Sequence, residues 1–362
     1  MYQYVHGGDI YGADGLPQKK VLLDFSANIN PLGIPSGVRQ AIRDAIAGCV
    51  NYPDPFCRRL RARLAERLGV PAERIYCGNG ASDVLFRLAF SIRPKRTLVL
   101  APTFADYERA ATAAGSKMDY FVLRKEDGFR VTPDLVQAIT KRTGMVILCN
   151  PNNPTGQLTE KSLLQKVLQK CADLDIPLII DECFLDFLAD PAAWSLLDLT
   201  GRYPNLVILK AFTKSHAIPG VRLGYCVTGN ADLLDRLYAC GPDWNVSGLA
   251  QAAGVATLED ESYMEATRQL MAREREYMTT QLRRLGLTVY DGAADYLFFY
   301  APQDPGWGAL LRERGILIRD CSNYHGLGKG YYRVAVKQRR QNRQLIKEMK
   351  EIKKHAFITD LD

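Results

Sequence analysis

Four short runs of almost uninterrupted aliphatic residues divide the middle of the chain: "RTLVLAP" from Arg96, "GMVILCN" from Gly144, "IPLIIDE" from Ile176 and "NLVILKA" from Asn205. Helix-like stretches, at residues 105–114 and 159–173, lie between the first pairs. Strands that are apolar on both faces must be covered on both faces, and the helices between them supply the cover. The expected fold class is α/β, a mostly parallel sheet sandwiched by helices, with a smaller α+β domain beside it. In such sheets ligands gather outside the carboxyl ends of the strands, and here those ends carry polar residues, glycine or proline.

The pattern changes near Ser247. A charged helical stretch runs through Arg283, then come "TVYDG", "YLFFYAP", a helix, "GILIRD", "YYRVAV" and a last helix. The expected organisation is an N-terminal segment at 1–49, rich in Pro, Gly and Asn and lying across both domains, a large domain at 50–246 and a small one at 247–362. A chain of 362 residues, 47% hydrophobic, has ample material for two such cores.

The formal charge of +7 is spread among interleaved acids and bases. The one dense basic run, "KQRRQNR" from Lys337 to Arg343, opens the last helix and reads as a solvated face. A nucleic-acid partner is therefore not expected, whereas a small phosphorylated or carboxylated ligand suits a mild positive excess. Nine cysteines, none in a C-x-x-C pair, sit mostly beside apolar residues. They read as free thiols of a reducing compartment, with neither a disulfide nor a metal framework. No apolar run reaches membrane-spanning length, and the expectation is a soluble cytoplasmic protein with no membrane partner.

Four stretches carry chemistry at the strand ends. "CGNGASDVLF" from Cys77 places glycines between a strand and a helix, which is either an anion cradle of backbone amides or a tight turn. It is not a dinucleotide fingerprint, because Asp83 stands where the third glycine belongs. "NPNNPTG" from Asn150 fixes Asn side chains between prolines, and alone reads as a loop. Asp181, in "LIIDECFLDF", follows three apolar residues, so it is either a helix cap or a buried carboxylate that needs a donor or cationic partner. Lys214, in "KAFTKSHAIPGVRLGY", is a surface charge if taken singly, and Arg222 follows eight positions on. Together they form a set: a lysine nucleophile, a carboxylate for a ring nitrogen, a phosphate cradle and an arginine, which is what pyridoxal 5'-phosphate requires.

The ordered series "GNG", "APTFADY", "NPNNPTG", "DECF", "TK…R" and "YYRVAV" resembles the fold-type I pyridoxal-phosphate enzymes of the aminotransferase class I/II superfamily, over nearly the whole chain. The resemblance implies that Lys214 binds the cofactor covalently and that Asp181 faces its pyridine nitrogen. It also implies that Asn153 donates to the ring oxygen and Phe104 stacks on the ring, with Phe184 nearby. Gly80, Ala81 and Ser82 would form the phosphate cradle, helped by Thr213 and Arg222. Tyr52, in "NYPDP", resembles the tyrosine that reaches the cofactor phosphate of a neighbouring subunit, which implies a homodimer with shared sites.

Two branches of that superfamily compete, histidinol-phosphate aminotransferases and threonine-phosphate decarboxylases. "HGGDIYG" from His6, "LDFSANINPLGIP" from Leu23 and "ILIRDCSNYHGLGKGYYRVAVK" are similar to signatures of the second. It implies a small phosphorylated amino-acid substrate, decarboxylated to an aminopropanol phosphate for the cobalamin nucleotide loop. Arg333 would hold the substrate carboxylate, with Asn153 beside it. His6, Gly7, Arg319 and Lys337 would hold its phosphate, and Asn28 or Asn30 would stand near the entrance. Departures concern substrate size: "GNGAS" replaces the usual "GNGE", Ala211 stands for a common serine, Ser215 and His216 replace bulky aromatics, and Lys337 replaces a common arginine. L-Serine O-phosphate is an alternative substrate. A non-catalytic regulator of the same fold is disfavoured by the retained Lys214, and a nicotinamide dehydrogenase by the lack of its glycine fingerprint.

Overall fold

The four aliphatic runs form the centre of a seven-stranded sheet in the computed structural model, which describes residues 6–11, 21 and 23–358. The strand order is Ile75–Gly78, Gly224–Thr228, Leu206–Ala211, Leu178–Asp181, Met145–Cys149, Arg96–Ala101 and Lys117–Val122. All pairings are parallel except those of Gly224–Thr228, which runs antiparallel to both neighbours. Alternation within the apolar runs assigns each residue to a face. Val146, Leu148, Ile180 and Ile208 pack under helix Lys161–Asp173, while Ile147, Ile179, Val207 and Leu209 pack under helices Ala81–Ile92 and Ala105–Ala113. Each such side chain, fully buried, contributes about 1.5–3 kcal/mol, so a polar residue is tolerated only where a strand ends.

A second sheet is antiparallel, in the order Arg319–Asp320, Tyr331–Ala335, Tyr296–Tyr300 and Thr288–Tyr290. Its apolar face buries Leu297, Phe299 and Val334 against Met278 and Leu282 of helix Glu261–Arg284 and Leu345 and Met349 of helix Arg339–Ile358. The N-terminal segment touches both bodies. Leu23–Asp24 pairs in parallel with Ile316–Leu317, and Phe25 joins the second core. Val38 of helix Ser36–Ala45 packs instead with Leu60, Ile75 and Ala250.

The helical stretch expected from Ser247 through Arg283 is two helices, Gly248–Thr257 and Glu261–Arg284. The break is made by Asp260, whose side chain accepts from the Tyr263 N–H and caps the second helix. The basic run starting at Lys337 precedes the last helix by two residues, and Lys337 itself is half-buried. All nine cysteines are free thiols, and only Cys49 and Cys240 are exposed. Among the described residues no helix is long and apolar enough to cross a membrane. Of the extension after Lys354, residues 359–362 lie outside the described residues.

Candidate active site

Five strand ends converge on one cavity. Asp181 is the last residue of its strand, and Lys214 sits in the single turn Phe212–Ser215 that follows the next one. Asn153 lies in the loop after Met145–Cys149, Phe104 precedes helix Ala105–Ala113, and Ala81 and Ser82 begin a twelve-residue helix. All of these line the cavity, as do Tyr107, Thr213 and Arg222.

The carboxylate of Asp181 is 7% exposed and accepts from the Tyr107 hydroxyl at 2.7 Å and the Cys183 N–H at 2.9 Å. Burial and the neighbouring Asp181 charge raise the Tyr107 pKa well above its ordinary value, so this hydroxyl remains a donor. Lys214 Nζ contacts Thr213 Oγ1 at 3.5 Å. At Gly80, φ is +88° and a Cβ would lie 2.5 Å from Arg222 Nη2. Only glycine lets the guanidinium pack against this turn, where the first amides of the helix also point. Two sources of positive potential thus meet at one spot, which suits a phosphate.

Arg333 reaches the cavity through Asn153, which lines it. This arginine is 5% exposed, donating through Nη1 to Asn153 Oδ1 and through Nη2 to the Ser26 carbonyl at 2.8 Å, while its Nε has no partner among the described residues. With its oxygen engaged there, the Asn153 NH2 group is the part left to donate to a ligand. Asn28 is also buried, and its Oδ1 has no partner among the described residues. Arg319 stands in register opposite Arg333. It donates to the Asp320 carbonyl and to Asn323 Oδ1, and its guanidinium lies 4.9 Å from the Tyr324 ring centre. His6 is brought in by the N-terminal segment, with Nε2 3.0 Å from Asp106 Oδ1 and its ring 5.3 Å from that of Phe104. Gly7 is fixed by close approach, since a Cβ there would lie 2.4 Å from the Ser26 oxygen. Phe184 lines the cavity and meets Tyr296 edge-on at 5.1 Å. Burial lowers the pKa of Lys337, with Asp24 and Asp295 opposing.

Asn30 and Tyr52 lie outside the cavity lining, Tyr52 on the surface where a residue meant for a neighbouring subunit would stand. The Asn30 amide is used in donating to the Ser215 carbonyl and Thr267 Oγ1, both at 2.7 Å, and its N–H bonds the Lys214 carbonyl at 3.0 Å. It props the Lys214 turn rather than opening onto the entrance. Tyr52 is 78% exposed and stacks on Trp244 at 4.4 Å, outside the cavity lining.

Sequence reasoning missed Asp106, Tyr107, Arg109 and Asp295. The first three sit within or just after "APTFADY", whose phenylalanine alone carries the resemblance. Asp295 is 1% exposed and neither oxygen has a hydrogen-bond partner among the described residues. Burial pushes its carboxyl up to about 6, against the opposing fields of Arg333, Lys337, Lys214 and Arg275. A single acid before a strand gives no hint of this.

The donor set fits pyridoxal 5'-phosphate: an amine, a buried carboxylate, an amide donor, an aromatic face and an anion cradle, each on its own strand end. The family model described as aminotransferase class I and II matches residues 20–349. The threonine-phosphate decarboxylase of Salmonella typhimurium is 37% identical over 357 residues, covering 97% of both chains. Among solved structures, the histidinol-phosphate aminotransferase of Clostridium acetobutylicum superposes with a TM-score of 0.87 at 29% identity, over 92% of this chain and 100% of that one. The L-threonine-O-3-phosphate decarboxylase of Porphyromonas gingivalis gives 0.81 at 25% identity, over 91% and 98%.

Proposed function

We propose a reaction for this chain, which belongs to the aminotransferase class I and II family: decarboxylation of L-threonine O-3-phosphate to (R)-1-aminopropan-2-yl phosphate, for the cobalamin nucleotide loop. Its cofactor is pyridoxal 5'-phosphate. Bound in the cavity, the cofactor supplies an electron sink for whichever substrate Cα bond stands perpendicular to its ring.

The observation that carries the reading is the pairing of Arg319 with Arg333 beside Asn153, two cations for a substrate with an anion at each end. Arg333, fixed by Asn153 and Ser26, would hold the substrate carboxylate in one orientation. Arg319 and His6 hold the phosphate, with Asn28 and Lys337 near the same end. Anchoring both ends fixes which bond breaks, and this is how binding energy enters the rate. Lys214 would hold the cofactor and would return a proton to the substrate Cα. Asp181 would hold the ring nitrogen with its negative charge, and Ala81, Ser82, Thr213 and Arg222 would hold the cofactor phosphate.

We also propose a homodimer. Ile46, Val50, Tyr52, Phe56 and Trp244 are exposed apolar residues, and a second copy would cover them and bring Tyr52 to its neighbour's site. The free thiols support a reducing, cytoplasmic location. The proposed domains are 50–246 and 247–362, bridged by residues 1–49, with helix Gly248–Thr257 packed on the first.

A second reading, aminotransfer from histidinol phosphate, is favoured by the likeness to the Clostridium structure. One assay separates the two. Purified protein with cofactor is given L-threonine O-phosphate, L-serine O-phosphate or histidinol phosphate with 2-oxoglutarate, and carbon dioxide and glutamate are followed together. Carbon dioxide from a phosphoamino acid, absent in Lys214→Ala, supports the decarboxylase and ranks its substrates. Glutamate without carbon dioxide replaces it with the aminotransferase.

A further inference from the structure

We propose that Asp106 is a positioning residue that sets His6 and Arg109 on the substrate's phosphate group while tying them to the cofactor cradle. The inference rests on the decarboxylase reading above for the identity of the substrate.

Asp106 lies in the first turn of helix Ala105–Ala113 and is 7% exposed. Its Oδ1 is 3.0 Å from His6 Nε2 and 3.1 Å from Arg109 Nη1, and those two nitrogens are 3.3 Å apart. Its Oδ2 accepts from the Ser82 hydroxyl at 2.9 Å. One carboxylate therefore joins three elements: the N-terminal segment, the helix that follows Phe104, and the first turn of the phosphate-cradle helix.

The consequence for Ser82 is direct. Its hydroxyl donates to Asp106, so its backbone amide is what remains for the cofactor phosphate. For His6 and Arg109 the consequence is placement. Arg109 and Phe104 line one wall of the neighbouring cleft, and Arg319 and Asn323 line the other. Without an anion between them, two donors 3.3 Å apart would separate. Asp106 holds them side by side, and a phosphate across from Arg319 meets both. Charge-assisted contacts of this kind are sensitive to small displacements, so the carboxylate acts on phosphate affinity through its neighbours.

The test is Asp106→Asn in the holoprotein. The KM for L-threonine O-3-phosphate should rise roughly 10- to 100-fold, with kcat held within about threefold. The dissociation constant of O-phosphoethanolamine, a phosphorylated amine without a carboxylate, should rise by a similar factor. That of pyridoxal 5'-phosphate, titrated into the apoprotein, should not change, and Asp106→Glu should restore most of the loss. In the double variant with His6→Gln the effects should be less than additive. Unchanged KM, a fall in kcat alone, or an equal loss of cofactor affinity each overturns the proposal. If Asp106→Asn does not fold, Arg109→Met should show the same rise in KM, and an unchanged KM there overturns it too. Should the wild-type protein form glutamate instead of carbon dioxide, the decarboxylase reading fails, while the O-phosphoethanolamine measurement still decides the role of Asp106.

Discussion

Arg319 and Arg333 face one another in register across an antiparallel pair of strands. Like charges placed directly opposite are unfavourable by about 0.2–1 kcal/mol; here Arg319 lines the cleft beside Phe104 and Arg333 bonds Asn153 at the cofactor cavity. A ligand with two anionic groups relieves that opposition. Substituting Arg319→Met should therefore leave thermal stability equal or slightly higher without ligand, and should reduce the Tm gain on adding L-threonine O-phosphate. Differential scanning fluorimetry with and without ligand reads both. A clear loss of ligand-free stability would show that Arg319 is a structural residue.

Arg333 holds Asn153 and the Ser26 carbonyl with two arms of a planar fork. Lysine keeps the charge but cannot span both. Arg333→Lys should lower kcat/KM by roughly 100-fold or more, mostly through misplacement of the carboxylate. Steady-state carbon dioxide release measures it; a change below about fivefold would place the carboxylate elsewhere.

Tyr107 donates to Asp181 at 2.7 Å. Tyr107→Phe removes one hydrogen bond to a charged group and should cost about tenfold in kcat. Asp181→Ala removes the anion itself and should cost more, roughly 100- to 1,000-fold. Both are measured at saturating cofactor. Equal losses would mean that Tyr107 acts on something besides Asp181.

Asp295 should make stability depend on pH. Its carboxyl is raised from 3.8 to about 6 by burial, so the folded protein holds that proton more tightly than the unfolded chain. The penalty is absent below pH 3.8, grows between 3.8 and about 6, and is complete above. Asp295→Asn removes it. The variant should gain on the wild type as pH rises from 4.5 to 7.5, by on the order of 2 kcal/mol. Urea midpoints at several pH values read the difference, and a difference that stays flat with pH contradicts the burial argument.

The exposed stack of Tyr52 on Trp244 should disappear into a subunit interface. Val50→Asp, at 88% exposure the most open of these apolar residues, should convert a dimer into monomers in sedimentation velocity and reduce activity with it. A wild-type monomer with full activity would remove the shared-site model.

The parallel strands were legible because burial on both faces leaves runs such as "VILC" and "LIID" with no polar interruption until the sheet ends. Lys214, Asp181 and Asn153 were legible for the same reason, as polar residues at those ends. Asp106 was not. An acid in a first helical turn is ordinary, and its partners His6 and Ser82 are 100 and 24 positions away in the chain. The split at Asp260 could have been seen, since an Asp before "ESY" is a capping signal, but the charges on both sides mask it. Asn30 shows the converse: it belongs to a recognisable signature, yet holds the turn of Lys214 from behind.

The strand Leu23–Asp24 closes on Ile316–Leu317, and the Phe25 and Ser26 carbonyls accept from Ala335 and Arg333. A ribosome makes these partners far apart in time. The strand at Leu23 has no mate until Ile316 has followed it, so this edge closes long after its first strand has emerged. Contacts so distant in sequence are slow to form and leave early strands open to stray pairing. A cut between Thr228 and Arg333 therefore leaves every strand of the large sheet but an unfinished pocket.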